Sequence, residues 1–308
     1  MAERTRITIA AELSKGNLAQ HWLIEVGLKL LREKPLGSFG GLLVLGMFLT
    51  GIFAGWLAPY GYNETHSFAR VQSYSQQFWL GSDDLGRDVL SRCIYGARIS
   101  MYVGLGGVAV DILLATVIGL LSGFFRGWVD MVGQRFVDAV MCFPGVFLLL
   151  TIMALMGPGI PNVILVLGLN QGIRNSRVIR GTVMSARENQ YVDAARAIGC
   201  RALRILLYHV LPNIMAPILI LATVDLGYMI LTEATISFLG YGIPPPMPSW
   251  GGMLSTTGLH YMVRAPWMAL WPGICLTVAV FGFNMLGDGL RDVLDPRLRG
   301  ASGGFGRR

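Results

Sequence analysis

Lysine is nearly missing from this 308-residue chain: Lys15, Lys29 and Lys34 are the only three. A phosphate-cradling P-loop needs a glycine-rich run followed by Lys and Ser or Thr, and none of the three sits in one. Any ATP-driven activity must therefore use a nucleotide site on another chain. Histidine is also scarce, with His21, His66, His209 and His260 far apart and no H-E-x-x-H pair, which excludes the usual zinc protease. The four cysteines, Cys93, Cys142, Cys200 and Cys275, form no C-x-x-C pair. They suggest neither a zinc site nor a disulfide framework and read as packing residues. No G-x-S-x-G elbow occurs, so nucleophilic hydrolysis lacks its local signature. Charged residues make up only 14% of the chain, against about 25% in soluble domains.

What is abundant is apolar. Hydrophobic residues fill 53% of positions, so lipid is the expected solvent. Glycine occurs 40 times, above the usual ~7%, and small residues let membrane helices approach closely. A spanning helix needs ~20 apolar residues, and runs of that kind lie near 38–58, 99–124, 136–156, 214–238 and 267–287. A shorter run from Ile160 to about Gly172 is counted as a sixth span, because without it the flanking charges fall on inconsistent sides.

The basic residues test that count, since cytoplasmic loops are enriched in Lys and Arg. Twenty of the 25 fall in the N-terminal tail, the segment 174–204, the C-terminal tail from Arg291, or at Arg126 and Arg135. Arg70, Arg87, Arg92, Arg98 and Arg264 remain on the other side. Six spans with both termini cytoplasmic are expected. The net charge of +7 follows from this topology, and the basic residues trace no nucleic-acid surface. The first 36 residues carry Glu3, Glu12, Glu25 and Glu33 and lack a cleavable apolar core, so a retained N-terminus is expected. Within it, residues 22–32 suit an interfacial helix, with a soluble-facing amphipathic turn as the alternative.

Acidic residues in apolar spans are functional candidates by default: Asp111, Asp138, Asp225 and Glu233 qualify. Asp138 follows Arg135 by three residues and reads as its structural partner. The other three could line a polar path or carry protons, which keeps a proton-coupled secondary transporter or an intramembrane enzyme as alternative readings. Segments 59–98 and 239–266 are expected outside. Within the first, Asp83, Asp84, Arg87, Asp88 and Arg92 either brace the next helix or meet a partner; bracing is favoured. In the second, the prolines from Pro244 to Pro248 and Trp250 suit a rigid turn at the outer interface, where tryptophan is favoured.

The largest inner loop, 174–213, is too polar to span. Glu188 to Gly199 reads as a helix with a glycine stop, and Ala202 to Val210 as a second ending at Leu211-Pro212. Asp193-Ala194-Ala195, Gly199 and Leu211-Pro212 resemble the signature loop of permease subunits in bacterial ABC importers, with aspartate where glutamate is usual. Leu80-Gly81-Ser82-Asp83-Asp84-Leu85-Gly86-Arg87-Asp88, Tyr95-Gly96-Ala97-Arg98, Phe238-Leu239-Gly240-Tyr241-Gly242, Pro248-Ser249-Trp250-Gly251 and Gly287-Asp288-Gly289-Leu290-Arg291-Asp292 narrow the resemblance. It is closest to the second permease of the dipeptide, oligopeptide and nickel importers and covers about residues 20 to 300. Met247 stands where that family often has threonine.

The resemblance implies an all-α polytopic fold of the type I importer permease class. It divides the chain into a cytoplasmic tail 1–37, a first helix and outer segment 38–98, a core 99–290 and a tail 291–308. It further implies a bacterial inner-membrane complex with a second permease, two ATP-binding subunits and an external solute-binding protein that delivers a di- or oligopeptide. ATP and Mg²⁺ would sit on the partner ATPases, with no cofactor, metal or catalytic residue on this chain. Asp193, Ala194, Ala195, Gly199, Leu211 and Pro212 would form the loop that couples to an ATPase: small alanines allow close docking, and glycine lets the backbone turn.

Overall fold

A computed structural model describes residue 27, residues 29–255 and residues 260–294. The expected interfacial helix, apart from its last turn, and the C-terminal tail beyond 294 lie outside the described residues. Among the described residues the fold is all helical, with one isolated bridge between Ser82 and Asp88.

The principal helices are α1 (Pro35–Ile52), α2 (Ala54–Leu57), α3 (Val89–Phe125), α4 (Gly127–Met141), α5 (Gly145–Met156) and α6 (Ile160–Arg187). Then follow α7 (Gln190–Ala197), α8 (Ala202–Ile205), α9 (Met215–Phe238), α10 (Trp250–Leu254) and α11 (Trp267–Leu294). Four of them, α1, α3, α9 and α11, are long and apolar enough to cross a membrane, and α4 with α5 forms a fifth candidate bent by 89°.

Contacts between glycines and their neighbours give the direction of each helix. Gly106 lies against Ile164, Gly168 against Val110, Gly119 against Ile179 and Gly123 against Val183, so α3 and α6 run parallel. Gly37 against Gly289 and Gly40 against Met285 set α1 antiparallel to α11, and Gly227 against Phe283 with Val224 against Gly287 does the same for α9 and α11. Among the described residues the bundle is thus built of six segments, α1, α3, the bent α4–α5 pair, α6, α9 and α11, with Lys34 paired to Asp292 at 2.6 Å where α1 begins and α11 ends. That end of the bundle also carries the loop 188–214, while 53–88, 239–255 and 260–266 lie at the opposite end.

Close approach of α3 and α6 depends on two Gly-x-x-x-Gly pairs, Gly119/Gly123 on α3 and Gly168/Gly172 on α6. A methyl at Gly168 would lie 2.6 Å from the Val110 Cβ, and one at Gly172 would lie 2.8 Å from the Asp111 carbonyl oxygen. Small residues of this kind permit the backbone contact through which membrane helices gain dispersion energy.

Three expectations need revision. The second span begins at Val89 rather than near 99, because Asp88 caps the helix, its Oδ2 accepting from the Ser91 amide at 2.8 Å and the Ser91 hydroxyl at 2.6 Å. At ~1.5 Å per residue the 37 residues of α3 extend ~55 Å, well beyond a ~30 Å hydrocarbon core. The run 136–156 is not one straight helix: it breaks before Pro144, which has no amide hydrogen to continue α4 and disfavours helical geometry at Phe143. The short sixth run continues to Arg187, so 174–187 belongs to a helix and only 188–213 is loop. From Asn170 onward α6 mixes buried apolar contacts at Ile179 and Val183 with buried Asn170 and Asn175, and a face turned to protein need not be apolar throughout.

The segment between α2 and α3 is an ordered plug. Asp83, Arg87 and Arg92 are buried together: Asp83 Oδ1 accepts from the Arg87 amide at 2.8 Å, and Arg87 Nε donates to Asp83 Oδ2 at 2.6 Å. Arg92 stands 3.7 Å from the same oxygen and donates to the Tyr62 carbonyl at 3.1 Å and the Pro246 carbonyl at 3.4 Å. These charges brace the start of α3, the favoured reading. Trp250 differs from its expected interfacial position, being 3% exposed with its indole donating to the Cys93 carbonyl at 3.0 Å. Gly96 leaves room for the ring, since a methyl there would stand 2.5 Å from the indole nitrogen.

Candidate coupling loop and buried polar core

Beyond Arg187 the chain leaves the bundle and forms α7, a turn at Gly199, and α8 continuing through a wider turn at Leu206–Val210. Asn189 begins α7 from an extended conformation. Gly199 ends the turn with φ +80°, while a Cβ added to it would meet nothing within 4 Å. Backbone conformation, rather than lack of space, calls for glycine there.

The loop has an inner and an outer face. Val192, Ala195, Ile205, Leu206 and Val210 are buried in one cluster with Phe124 of α3 and Val183 of α6. Leu211 packs against that cluster, and burial pushes the Tyr191 phenol up. Asp193, Ala194, Gly199 and Pro212 are exposed. Asp193 pairs with Arg196 at 3.2 Å. Ile198 is 80% exposed and, with Gly199, Cys200, Arg201 and Arg204, lines a concavity of about 500 Å³. The six residues singled out in sequence therefore lie in one hairpin but do two jobs: Ala195 and Leu211 hold it to the bundle, and the other four face outward. The small side chain at 194 faces outward; that at 195 serves the interior.

Charged contacts tie the loop's base to its neighbours. Arg180 donates to both oxygens of Asp130 on α4, at 2.5 and 2.6 Å, and Arg126 meets Glu188 at 2.8 Å. Asp138 pairs with Arg135 at 3.3 Å, as its spacing predicts, and also with Arg177 of α6.

Midway along α6 lies the polar core that sequence reasoning left open. Asn175 Nδ2 donates to Asp111 on α3 at 2.9 Å and to Asp225 on α9 at 2.8 Å. Gln171 donates to the other oxygen of Asp225 at 3.0 Å. Asp111, Asp225 and Asn175 are buried. Four side chains thus fasten three helices at the centre of the bundle, and this explains two of the intramembrane carboxylates as helix-joining acceptors. Glu233 lies apart, accepting from Ser237 at 2.6 Å. Asn175 and Gln171 went unremarked in sequence because only charged residues within spans count as candidates there and Asn175 falls in the stretch read as loop; their i, i+4 spacing in α6 was the available signal. Among the described residues no group of three metal-ligating side chains assembles.

A six-pass helical bundle, a polar lock within it and a helical hairpin projecting from one end define a multi-pass membrane protein of the transporter type. Residues 115–300 match the family described as binding-protein-dependent transport system inner membrane component. Similar relatives include a dipeptide transport system permease protein, DppC, of Alkalihalophilus pseudofirmus, 39% identical over 88% of this chain and 89% of that protein. The glutathione transport system permease protein GsiD of Pectobacterium atrosepticum is 37% identical over 84% and 86%. The oligopeptide transport system permease protein OppC of Bacillus subtilis is 34% identical over 94% of each. The chain belongs to this family, the membrane permease subunits of ABC importers, and is a transport subunit rather than an enzyme.

Proposed function

We propose that this chain forms, with a different second permease, the inward path for di- or oligopeptides across a bacterial inner membrane. An external binding protein delivers the peptide, and two ATP-binding subunits carrying ATP and Mg²⁺ drive the cycle; this chain binds no cofactor. Both termini and the 188–213 hairpin face the cytoplasm. The distribution of arginine supports that orientation, and the meeting of Lys34 with Asp292 supports an even number of passes. The names of the relatives support a peptide substrate.

The observation that carries the coupling role is the outward face of the hairpin: exposed Asp193, Ala194, Gly199 and Pro212 beside the concavity at Ile198–Arg204. Ala195 and Leu211 keep that face on α3 and α6, so a push on the hairpin is delivered to the helices that carry the polar core.

Purification of the chain from native membranes in mild detergent is expected to recover a second permease and two ATPases, with ATPase activity stimulated by loaded binding protein. Ala194→Trp should lower transport at least tenfold and break the link between solute and hydrolysis, with insertion unchanged. Gly199→Val should do the same by straining a φ of +80°. A chain that purifies alone, or variants with normal solute-stimulated hydrolysis, would overturn the assignment. Ala195 is the wrong position for this test because a bulky residue there enters the core.

A further inference from the structure

We propose that Cys93 and Cys275 form a dithiol that closes to a disulfide under oxidising conditions and ties α3 to α11. The sequence set these cysteines 182 positions apart with no motif between them, and each reads singly as a packing residue. The fold brings them together: Cys93 of α3 is buried in an apolar cluster against which Cys275 of α11 packs, so the two side chains are neighbours across the helix pair. Both belong to one apolar cluster with Val89, Ala265, Trp267 and Met268.

Their surroundings hold Cys93 still. Its carbonyl accepts from the Trp250 indole at 3.0 Å, and the preceding residue, Arg92, is fixed by Asp83 and by the carbonyls of Tyr62 and Pro246. Cys93 is 4% exposed and Cys275 is half-buried, so a small oxidant reaches the pair through Cys275. The other two cysteines, exposed Cys142 after α4 and half-buried Cys200 in the hairpin, occupy the opposite half of the chain's path. Cys93 follows the start of α3 by four residues, at the end of the bundle opposite the hairpin. In the orientation proposed above, that end faces the compartment where disulfides persist; closure of the pair itself does not depend on that orientation.

The chemistry is a two-electron oxidation. One Sγ–Sγ bond forms, both S–H bonds break, and two protons and two electrons pass to the oxidant. With a disulfide oxidant, a thiolate first forms a mixed disulfide, and the second thiol then displaces the leaving thiolate. With diamide, the N=N bond takes up both hydrogens to become a hydrazine.

The test uses the full chain in native membranes, treated with diamide, quenched with an alkylating agent under denaturing conditions and digested for mass spectrometry. The expected result is a peptide linked through Cys93 and Cys275, at least tenfold enriched over untreated membranes and lost on adding a thiol reductant. A Cys142→Ser/Cys200→Ser variant, which leaves the pair untouched, should yield the same linked peptide, and Cys275→Ser should abolish it. Recovery of Cys93 and Cys275 separately alkylated after oxidation, or linked instead to Cys142 or Cys200, would overturn the proposal. Should Cys275→Ser fail to insert, the double variant still decides the matter.

Discussion

A single methyl group at Gly168 is a severe test of how α3 and α6 are held. Built on the observed backbone, the new carbon lies 2.6 Å from the Val110 Cβ, 2.8 Å from the Gly107 carbonyl oxygen and 2.8 Å from the Val110 Cγ1. Two of these neighbours are backbone or Cβ atoms that no rotamer change removes. The helices must separate, and overpacking of this kind costs ~1–3 kcal/mol. Against it stands the ~1 kcal/mol by which alanine exceeds glycine in a helix interior. Gly168→Ala should therefore be destabilising by up to about 2 kcal/mol, with Gly168→Val worse. Gly181 provides the control on the same helix, since a Cβ there meets nothing within 4 Å. Gly181→Ala should be neutral or stabilising by up to ~1 kcal/mol. Thermal unfolding of detergent-solubilised protein, followed by the loss of the monodisperse peak in size-exclusion chromatography, ranks the three variants. If Gly168→Ala melts at or above Gly181→Ala, the close α3–α6 packing is not what stabilises the bundle.

Asn175→Leu should destabilise by roughly 2–4 kcal/mol, since interhelical hydrogen bonds contribute ~0.6–1.7 kcal/mol each and two buried carboxylates lose a donor. A double-mutant cycle with Asp111→Leu in chemical denaturation checks it: strict additivity would contradict a shared lock. Asp83→Ala leaves Arg87 and Arg92 buried without their carboxylate, a loss of ~3–5 kcal/mol for a buried pair. The damage should be local, so limited proteolysis within 59–88 should accelerate at least tenfold while the helices stay protected; an unchanged cleavage rate would show that the plug does not rest on Asp83. Asp130→Asn, which removes the forked acceptor of Arg180, should cost about 1–2 kcal/mol and should be masked in an Arg180→Met background, measured by the same denaturation cycle.

Much of the fold was legible because a bilayer imposes a length on apolar runs and a side on arginines. The runs at 38–58, 214–238 and 267–287 correspond to α1, α9 and α11 within a few residues. Legibility failed where protein, not lipid, surrounds a helix. α6 carries Asn170, Gln171, Arg174, Asn175, Arg177 and Arg180, so hydropathy ends it near Gly172, although the backbone continues to Arg187. Every one of those side chains for which a partner is found points to another part of the bundle: Gln171 to Asp225, Asn175 to Asp111, Arg177 to Asp138 and Arg180 to Asp130. A polar residue in a hydrophobic run is ambiguous until its partner is known, and the partners named are 39 to 64 positions away. The same limit hid Trp250, whose place against Gly96 depends on a contact across more than 150 residues.

The hairpin at 188–213 shows the converse case, in which a local motif was legible but its division of labour was not. Adjacent alanines look equivalent in sequence, yet a helix turns ~100° per residue, so Ala194 and Ala195 must face different surroundings when one side is covered. Val192 and Ala195, three apart, share the face that packs on Phe124 and Val183, which leaves 194 outside. In the proposed coupling role the consequence would be mechanical. A load applied to the exposed face at Asp193, Ala194 and Gly199 passes through Ala195 and Leu211 into α3 and α6, whose glycines exclude slack and whose Asn175–Asp111 bond, with Asn175–Asp225, reaches α9. α3, α6 and α9 are thereby joined to the hairpin through buried contacts. A permease that must change shape when an ATPase moves needs such stiffness between the point of contact and the helices that respond.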